Sequence, residues 1–241
     1  LQTRCEDKGD FYLVNGQKVW TSGAQYADWI FTLVRTDPSA GKHDGISFVL
    51  IDMDQPGVSV KPIRLISGQS PFCETFFDDA RCEKNNLVGQ LNRGWTVGKR
   101  LLQHERSSIS GLASGGARGR YDHFGSLPQL AKDHLGIEGG RIADSDLRQE
   151  ITQNEMERRA FQLTQRRASQ ESQAGGTPTF LTSLFKYYGS EQGSRRMELQ
   201  LKLMGTQSLG WEGNAFASDE LATTRTWLRS KASTIAGGTS E

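Results

Sequence analysis

The stretch GWTVGKRLLQHERSSISG, residues 94–111, divides the chain into two kinds of sequence. Stepped at a helical period, it sets Val97, Leu101, Glu105, Ile109 and, just beyond, Leu112 on one side, with Lys99, Arg100, Gln103, Arg106 and Ser107 on the other. Before it, apolar residues alternate; after it, they recur at about 3.6 residues. One residue on the apolar side is out of character. Glu105 has Leu101 one turn before it and Ile109 one turn after it. Its ionised form would be poorly solvated there, its pKa is expected to rise, and a general base needs that environment. A carboxylate satisfied by a buried arginine or backbone partner fits the helix pattern equally well.

Working back towards Leu1, residues 1–93 read as a β domain. In FYLVNGQKVWTS, residues 11–22, Asn15-Gly16 lies between two short apolar runs and predicts a hairpin, since both residues tolerate positive φ. Further strand-like runs occupy residues 29–34, 46–52, 58–63 and 73–79, separated by turns such as Asp37-Pro38, Asp44-Gly45 and Pro56-Gly57. Closely spaced strands with no intervening helix predict an antiparallel barrel or sandwich and exclude a doubly wound sheet. Trp29 is expected in its core, and on pattern alone Trp20 is an ordinary strand aromatic.

Working forward, residues 94–241 predict a helical bundle, so the fold class is α+β multidomain. After a glycine-rich break at 111–119, helices are expected at 127–135, 146–170, from Thr177-Pro178 to about 204, and at 219–235. Thr177-Pro178 has the form of an N-cap followed by proline at the first helical position. Four long helices and a short one make a bundle. The 146–170 helix has so few apolar residues that a partner subunit or an incomplete bundle is expected. The arginine pairs 158–159, 166–167 and 195–196 are expected on solvated faces.

Composition narrows the function classes. Basic and acidic residues, 29 against 28, give no electrostatic case for nucleic acid or an anionic membrane as partner. Three cysteines without ligand spacing and four scattered histidines predict a reducing compartment, no disulfide and no metal site. No apolar run is long enough for a membrane span, and no signal peptide opens the chain. The absence of an initiator Met, and a final motif without continuation, give the expectation of a fragment of a longer protein.

The order of motifs resembles the acyl-CoA dehydrogenase family. The elements are Trp20-Thr21-Ser22 on a strand, Gly94-Trp95 closing the β region, Glu105-Arg106 on the first helix, and a terminal Ile235-Ala236-Gly237-Gly238-Thr239-Ser240-Glu241. The resemblance covers essentially the whole chain, as the family's middle β domain and C-terminal helical domain without the N-terminal helical domain. It implies FAD as cofactor, an acyl-CoA thioester as substrate, trans-2-enoyl-CoA as product and an electron-transfer flavoprotein as acceptor. It also implies a homo- or heterotetramer in a bacterial cytoplasm or mitochondrial matrix. Many members carry the catalytic glutamate directly before the terminal Gly-Thr-Ser; that position is Gly237. A smaller set, including isovaleryl-CoA and long-chain acyl-CoA dehydrogenases, carries it on an earlier helix before an arginine, which Glu105-Arg106 matches.

By resemblance, Glu105 is the base, Arg106 and Gly237 face the substrate, and the Gly237 N–H polarises the thioester carbonyl. Trp20, Thr21 and Ser22 are the flavin contacts, with Ser22 in place of a more usual threonine. Thr239 and Glu241 match the adenosine side of FAD, and Gly205 the contact to a neighbouring subunit's cofactor. Two positions depart from the pattern: Thr206 replaces the second glycine of that contact, and Tyr121-Asp122-His123-Phe124-Gly125 lacks the arginine of a cofactor motif. These departures suggest an atypical subfamily of unlike subunits. A non-catalytic partner subunit, or a flavin oxidase or monooxygenase of the same superfamily, stands as the alternative.

Overall fold

The computed structural model describes residues 1–109, 126–174 and 179–240. The chain divides into two compact units, Leu1–His104 and Glu105–Glu241.

The first unit is built on one six-stranded sheet. Its strands are β1 (Arg4–Asp7), β2 (Phe11–Ser22), β3 (Trp29–Arg35), β4 (Ile46–Asp52), β5 (Val58–Ile63) and β6 (Phe72–Glu83), in the order β4-β3-β1-β2-β6-β5. Pairing is antiparallel except between β1 and β3, which meet in parallel at Arg4 and Arg35. Alternate residues, among them Val14, Val34, Val49, Ile51, Phe77 and Cys82, turn inward to form one core. The Cys82 thiol donates to the Leu50 carbonyl at 3.3 Å, so β6 closes back on β4 and the sheet curls around that core. All three cysteines are buried as free thiols; burial pushes Cys5 up to about 12 and Cys82 to about 11.

Two expectations for this unit are corrected. Asn15-Gly16 is not a hairpin turn: β2 passes straight through it and pairs with β6 on both sides, with a register shift between Val14 and Gly16. The Asn15 amide donates to the Asp79 carboxylate at 2.8 Å and accepts from the Asp79 N–H at 2.8 Å, clasping the bulge. Gly16 has φ 140°, and a Cβ there would stand 2.8 Å from the Thr3 Cα. The pair allows a close crossing of the amino-terminal segment instead of a reversal. Trp29 is not core either; it is 52% exposed, because Thr32 and Val34 take the inward positions of β3 and leave Trp29 and Phe31 on the opposite face. Strand β1 escaped the sequence reading, four residues being too few to show alternation.

Helix α1 (Gly94–Ile109) opens on glycine for a steric reason. A Cβ at Gly94 would overlap the Ser47–Phe48 peptide at 2.3 Å, and one at Gly98 would meet a Leu33 methyl at 3.3 Å. Gly94, Gly98, Leu101 and Glu105 follow one another at helical spacing on one face. The sheet covers the glycine turns, while Leu101 and Leu102 are exposed.

The second unit packs α2 (Leu127–Leu135), α3 (Ser145–Gln173), α4 (Thr179–Met204) and α5 (Ser218–Ser230). Ser126 caps α2, accepting from the Gln129 N–H at 3.2 Å, and Asp144 caps α3, accepting from Asp146 and Leu147 at 2.9 Å. Leu127, Ala131, Ile151, Leu199 and Leu203 form its core. The helix expected at 219–235 ends as α at Ser230 and tightens into a 3₁₀ turn over Lys231–Thr234. A tight hairpin, β7 (Ile137–Glu138) with β8 (Arg141–Ile142), turns on Gly139 and Gly140 at φ 55° and 77°. The Thr177-Pro178 cap, the 111–119 break and the 121–125 motif lie outside the described residues.

The solvated-face reading fails for one arginine. Arg196 is 3% exposed; its guanidinium donates to the Asn154 side chain at 3.1 Å and to the Glu155 carboxylate at 2.8 Å. Successive helical residues point about 100° apart, so Arg195 faces out to Glu157 at 3.3 Å while Arg196 faces in. Burial pushes the Glu155 carboxyl up, but the bonds from Arg196 and Arg158 outweigh it and hold the group below the usual carboxylate range.

Candidate active site

Of the flavin contacts assigned by resemblance, three stand at the end of β2, where the register shifts a second time between Lys18 and Thr21. Trp20 sits on this bulge with φ 63°, a left-handed conformation that costs a bulky residue about 1–3 kcal/mol. The bulge turns the indole outward: it is 59% exposed and rests edge-on against Phe72, centroids 6.0 Å apart at 85°. Thr21 points the other way. Its hydroxyl donates to the Cys73 carbonyl at 2.8 Å and lies 2.8 Å from the Thr75 hydroxyl, so it anchors the bulge to β6 and is not offered to a ligand. Ser22 is exposed, and after it the Gly23 N–H ties the chain to the Pro71 carbonyl at 3.0 Å. An outward aromatic face with a free-standing hydroxyl two residues on suits a flat heterocycle with hydrogen-bonding edges, which a flavin ring is.

Lys18 lies two residues before Trp20 and was not singled out by its sequence. Its ammonium donates to the Leu33 carbonyl at 2.7 Å, and burial pushes it down to about 8. Nothing in an alternating strand separates such a lysine from an exposed one.

In the helical unit, Glu105 is exposed, so the burial expected of it is not provided by the described residues. Of the expected stripe Leu101 and Glu105 are exposed, and the covered part of the helix is the glycine turns at 94 and 98. The side chains of Arg106 and Glu241 lie outside the described residues. Gly237 and Gly238 form an exposed loop at φ 76° and 121°. The Gly238 N–H donates to the Ile235 carbonyl at 3.2 Å and the Ser240 N–H to the Thr234 carbonyl at 2.8 Å. Among the described residues the Gly237 N–H has no acceptor. Thr239 is exposed on the same loop. Lys186 of α4, unmarked by any sequence signal, donates to the Thr234 carbonyl at 3.2 Å and to the Gly238 carbonyl; burial lowers the pKa of its ammonium. Gly205, exposed at φ 56°, starts the 3₁₀ turn after α4. The structure thus joins Trp20, Thr21 and Ser22 within one unit and Gly237 and Thr239 within the other. Among the described residues no cluster of His, Cys, Asp or Glu could hold a metal, and no helix is long and apolar enough to cross a membrane.

A curled mixed sheet with a ring-presenting bulge, continued through a glycine-opened helix into a bundle with a terminal glycine loop, defines an α+β chain of two units. Residues 1–80 match the acyl-CoA dehydrogenase middle domain and residues 92–241 the acyl-CoA dehydrogenase C-terminal domain. The chain belongs to the acyl-CoA dehydrogenase family. It is 35% identical, over 96% of its length, to acyl-CoA dehydrogenase IpdE1 of Mycolicibacterium smegmatis, covering 55% of that protein. It is 27% identical over its whole length to the mitochondrial short/branched chain specific acyl-CoA dehydrogenase of Bos taurus, covering 53% of it. The ChsE4-ChsE5 complex from Mycobacterium tuberculosis superposes with a TM-score of 0.80 at 28% identity, over 100% of this chain and 61% of that one. The chain therefore spans little more than half the length of the relatives it matches.

Proposed function

We propose that this chain supplies the catalytic base and part of the FAD site of an acyl-CoA dehydrogenase that converts an acyl-CoA thioester to its trans-2-enoyl-CoA. The observation that carries the reading is the terminal loop: position 237, directly before Gly238-Thr239-Ser240, is a glycine and not an acid, and its N–H has no acceptor among the described residues. A donor without a base calls for a carboxylate from another segment, and Glu105 is the acid the helix pattern singles out. Glu105 accepts the α-proton as the α C–H bond breaks, and the electron pair moves toward the carbonyl oxygen, where the Gly237 N–H meets the developing charge. Bound acyl-CoA supplies apolar cover to Glu105 and excludes water from it. FAD, when bound, supplies the acceptor for the β-hydride. Trp20 and Ser22 hold its ring, Thr21 holds Trp20 in place, Thr239 and Glu241 take the adenosine end, and Gly205 and Arg106 keep the roles the resemblance gives them. An electron-transfer flavoprotein takes the electrons.

Glu105→Gln in the full-length flavoprotein is expected to keep its flavin and lose acyl-CoA-dependent bleaching by about 10²–10⁴-fold. Unchanged bleaching sinks the assignment. A second reading, a subunit completing an unlike partner's site, draws on the exposed Met156 and Leu163 along α3 and on Thr206 in place of a glycine. The two-protein complex among the structural relatives accords with it. In that case the isolated full-length subunit holds no flavin and gains it with its partner.

A further inference from the structure

The loop that carries Gly237 is the least self-supporting part of the candidate site. Two consecutive glycines at φ 76° and 121° have more conformational freedom to lose than any other pair, and a Gly238 Cβ would meet nothing within 4 Å. Its internal bonds, Ser240 to Thr234 and Gly238 to Ile235, are local and travel with the loop. A hydrogen-bond donor aimed at a developing oxyanion acts only when it is placed beforehand, within about 0.5 Å of its working position. Something outside the loop must hold it.

That tie comes from α4. Lys186 donates both to the Thr234 carbonyl, at 3.2 Å, and to the Gly238 carbonyl, thereby bracketing Gly237 on either side. One helical turn later the Ser190 hydroxyl lies 3.5 Å from that of Ser240. The neighbouring Phe185 is buried in the bundle and fixes the helix from which the lysine stem departs. An ammonium has three donors and no acceptor, which suits a clamp on two carbonyls. Among the described residues no carboxylate lies within salt-bridge range of Lys186; the Glu191 carboxylate acts on its ammonium from farther off and partly offsets the effect of burial.

We propose that Lys186 is a positioning residue for the thioester-polarising N–H of Gly237, acting as a clamp on the carbonyls of Thr234 and Gly238. This rests on the function proposed above. The clamp adds no group to the reacting atoms; it fixes the loop that receives the enolate oxygen.

The test uses the full-length flavoprotein and acetoacetyl-CoA, whose enolate beside an oxidised flavin gives a long-wavelength charge-transfer band. The pH at which the band appears reports how well the carbonyl oxygen is stabilised. Lys186→Met is expected to keep the flavin and bind the thioester, with band formation moved up by about one pH unit, a tenfold loss of enolate stabilisation. Amide hydrogen exchange over residues 234–240 should rise in the same variant while that of α4 stays put. Lys186→Arg, which restores charge and donors, should bring the band back. Lys186→Gln, which keeps a donor amide without the charge, should fall between them and decides the matter if Lys186→Met does not fold. An unchanged band pH with unchanged loop exchange overturns the role of Lys186 and leaves the function standing. Absence of the band in the parent protein overturns the function and the clamp together.

Discussion

The two glycine- or bulge-bearing segments of the candidate site solve one problem in opposite ways. At Trp20 a bulky residue is forced into a left-handed conformation and held there by the paired strand β6, through the Thr21 hydroxyl on Cys73 and the register shift between the two strands. At Gly237 the backbone adopts positive φ without strain, because glycine permits it, and the constraint comes from a lysine 51 positions earlier in the chain. The first segment stores strain and is held by backbone pairing to a neighbouring strand; the second is unstrained and is held by one side chain from a helix. Precision at a site can therefore come from strand pairing or from a single side chain, and in both cases the partner that supplies it lies about fifty positions away in the sequence.

The contrast extends to the interiors, and the helical one offers the largest effect. The β unit buries apolar side chains in a single cluster, whereas the helical unit buries Arg196 against Asn154 and Glu155. Breaking a buried ion pair from one side strands the other charge, at about 3–5 kcal/mol. Glu155 keeps its bond to Arg158 at 2.9 Å, which places Arg196→Met near the lower end. Denaturant unfolding of the chain should show a loss of about 3 kcal/mol confined to signals from the helices, and Arg196→Met combined with Glu155→Leu should recover most of it. A single variant as stable as the parent would mean that the two interiors do not differ in kind.

The same divide governs what was legible in sequence. The strands at 29–35, 46–52 and 58–63 and the helices at 127–135 and 145–173 declared themselves through period and caps, since those signals depend on neighbours only. Asn15-Gly16 misled because the features that make a turn, small size and tolerance of positive φ, also make a bulge, and the choice lay with Thr3 and Asp79. Trp29 was assigned to the core from its type, while its side of the strand was set by Thr32 and Val34. Arg196 was hidden by its twin Arg195, and Lys186 by its distance from the loop it holds. Motif order offers Trp20, Ser22, Glu105 and Gly237 as candidates only; that Thr21 faces inward is set by Cys73 and Thr75 on the paired strand and leaves no trace in the motif.

A smaller effect tests the tight side of the comparison. Gly94→Ala drives a methyl into the Ser47–Phe48 peptide, where backbone cannot yield, and is expected to cost about 3 kcal/mol. Gly98→Ala meets only the tip of Leu33, which can shift by a few tenths of an ångström, and replaces a mid-helix glycine, so it should be neutral or stabilise by up to about 1 kcal/mol. Thermal melts of the two variants side by side should therefore move in different directions or by clearly different amounts. Equal losses would show that α1 packs on the sheet more loosely than the glycine spacing implies.

The smallest effect bears on the strain itself. In most strand positions glycine is worse than alanine, by roughly 0.5–1 kcal/mol, because it loses more entropy on folding. At Trp20 the order should reverse: both replacements lose the edge contact with Phe72, but only glycine is relieved of the left-handed φ. Trp20→Gly is expected to be more stable than Trp20→Ala by about 1 kcal/mol in equilibrium unfolding, while both weaken flavin retention in the full-length protein alike. If alanine is the more stable, the bulge relaxes when the indole leaves. The conformation would then be a consequence of the ring and not, as its anchoring through Thr21 indicates, the device that turns the ring outward.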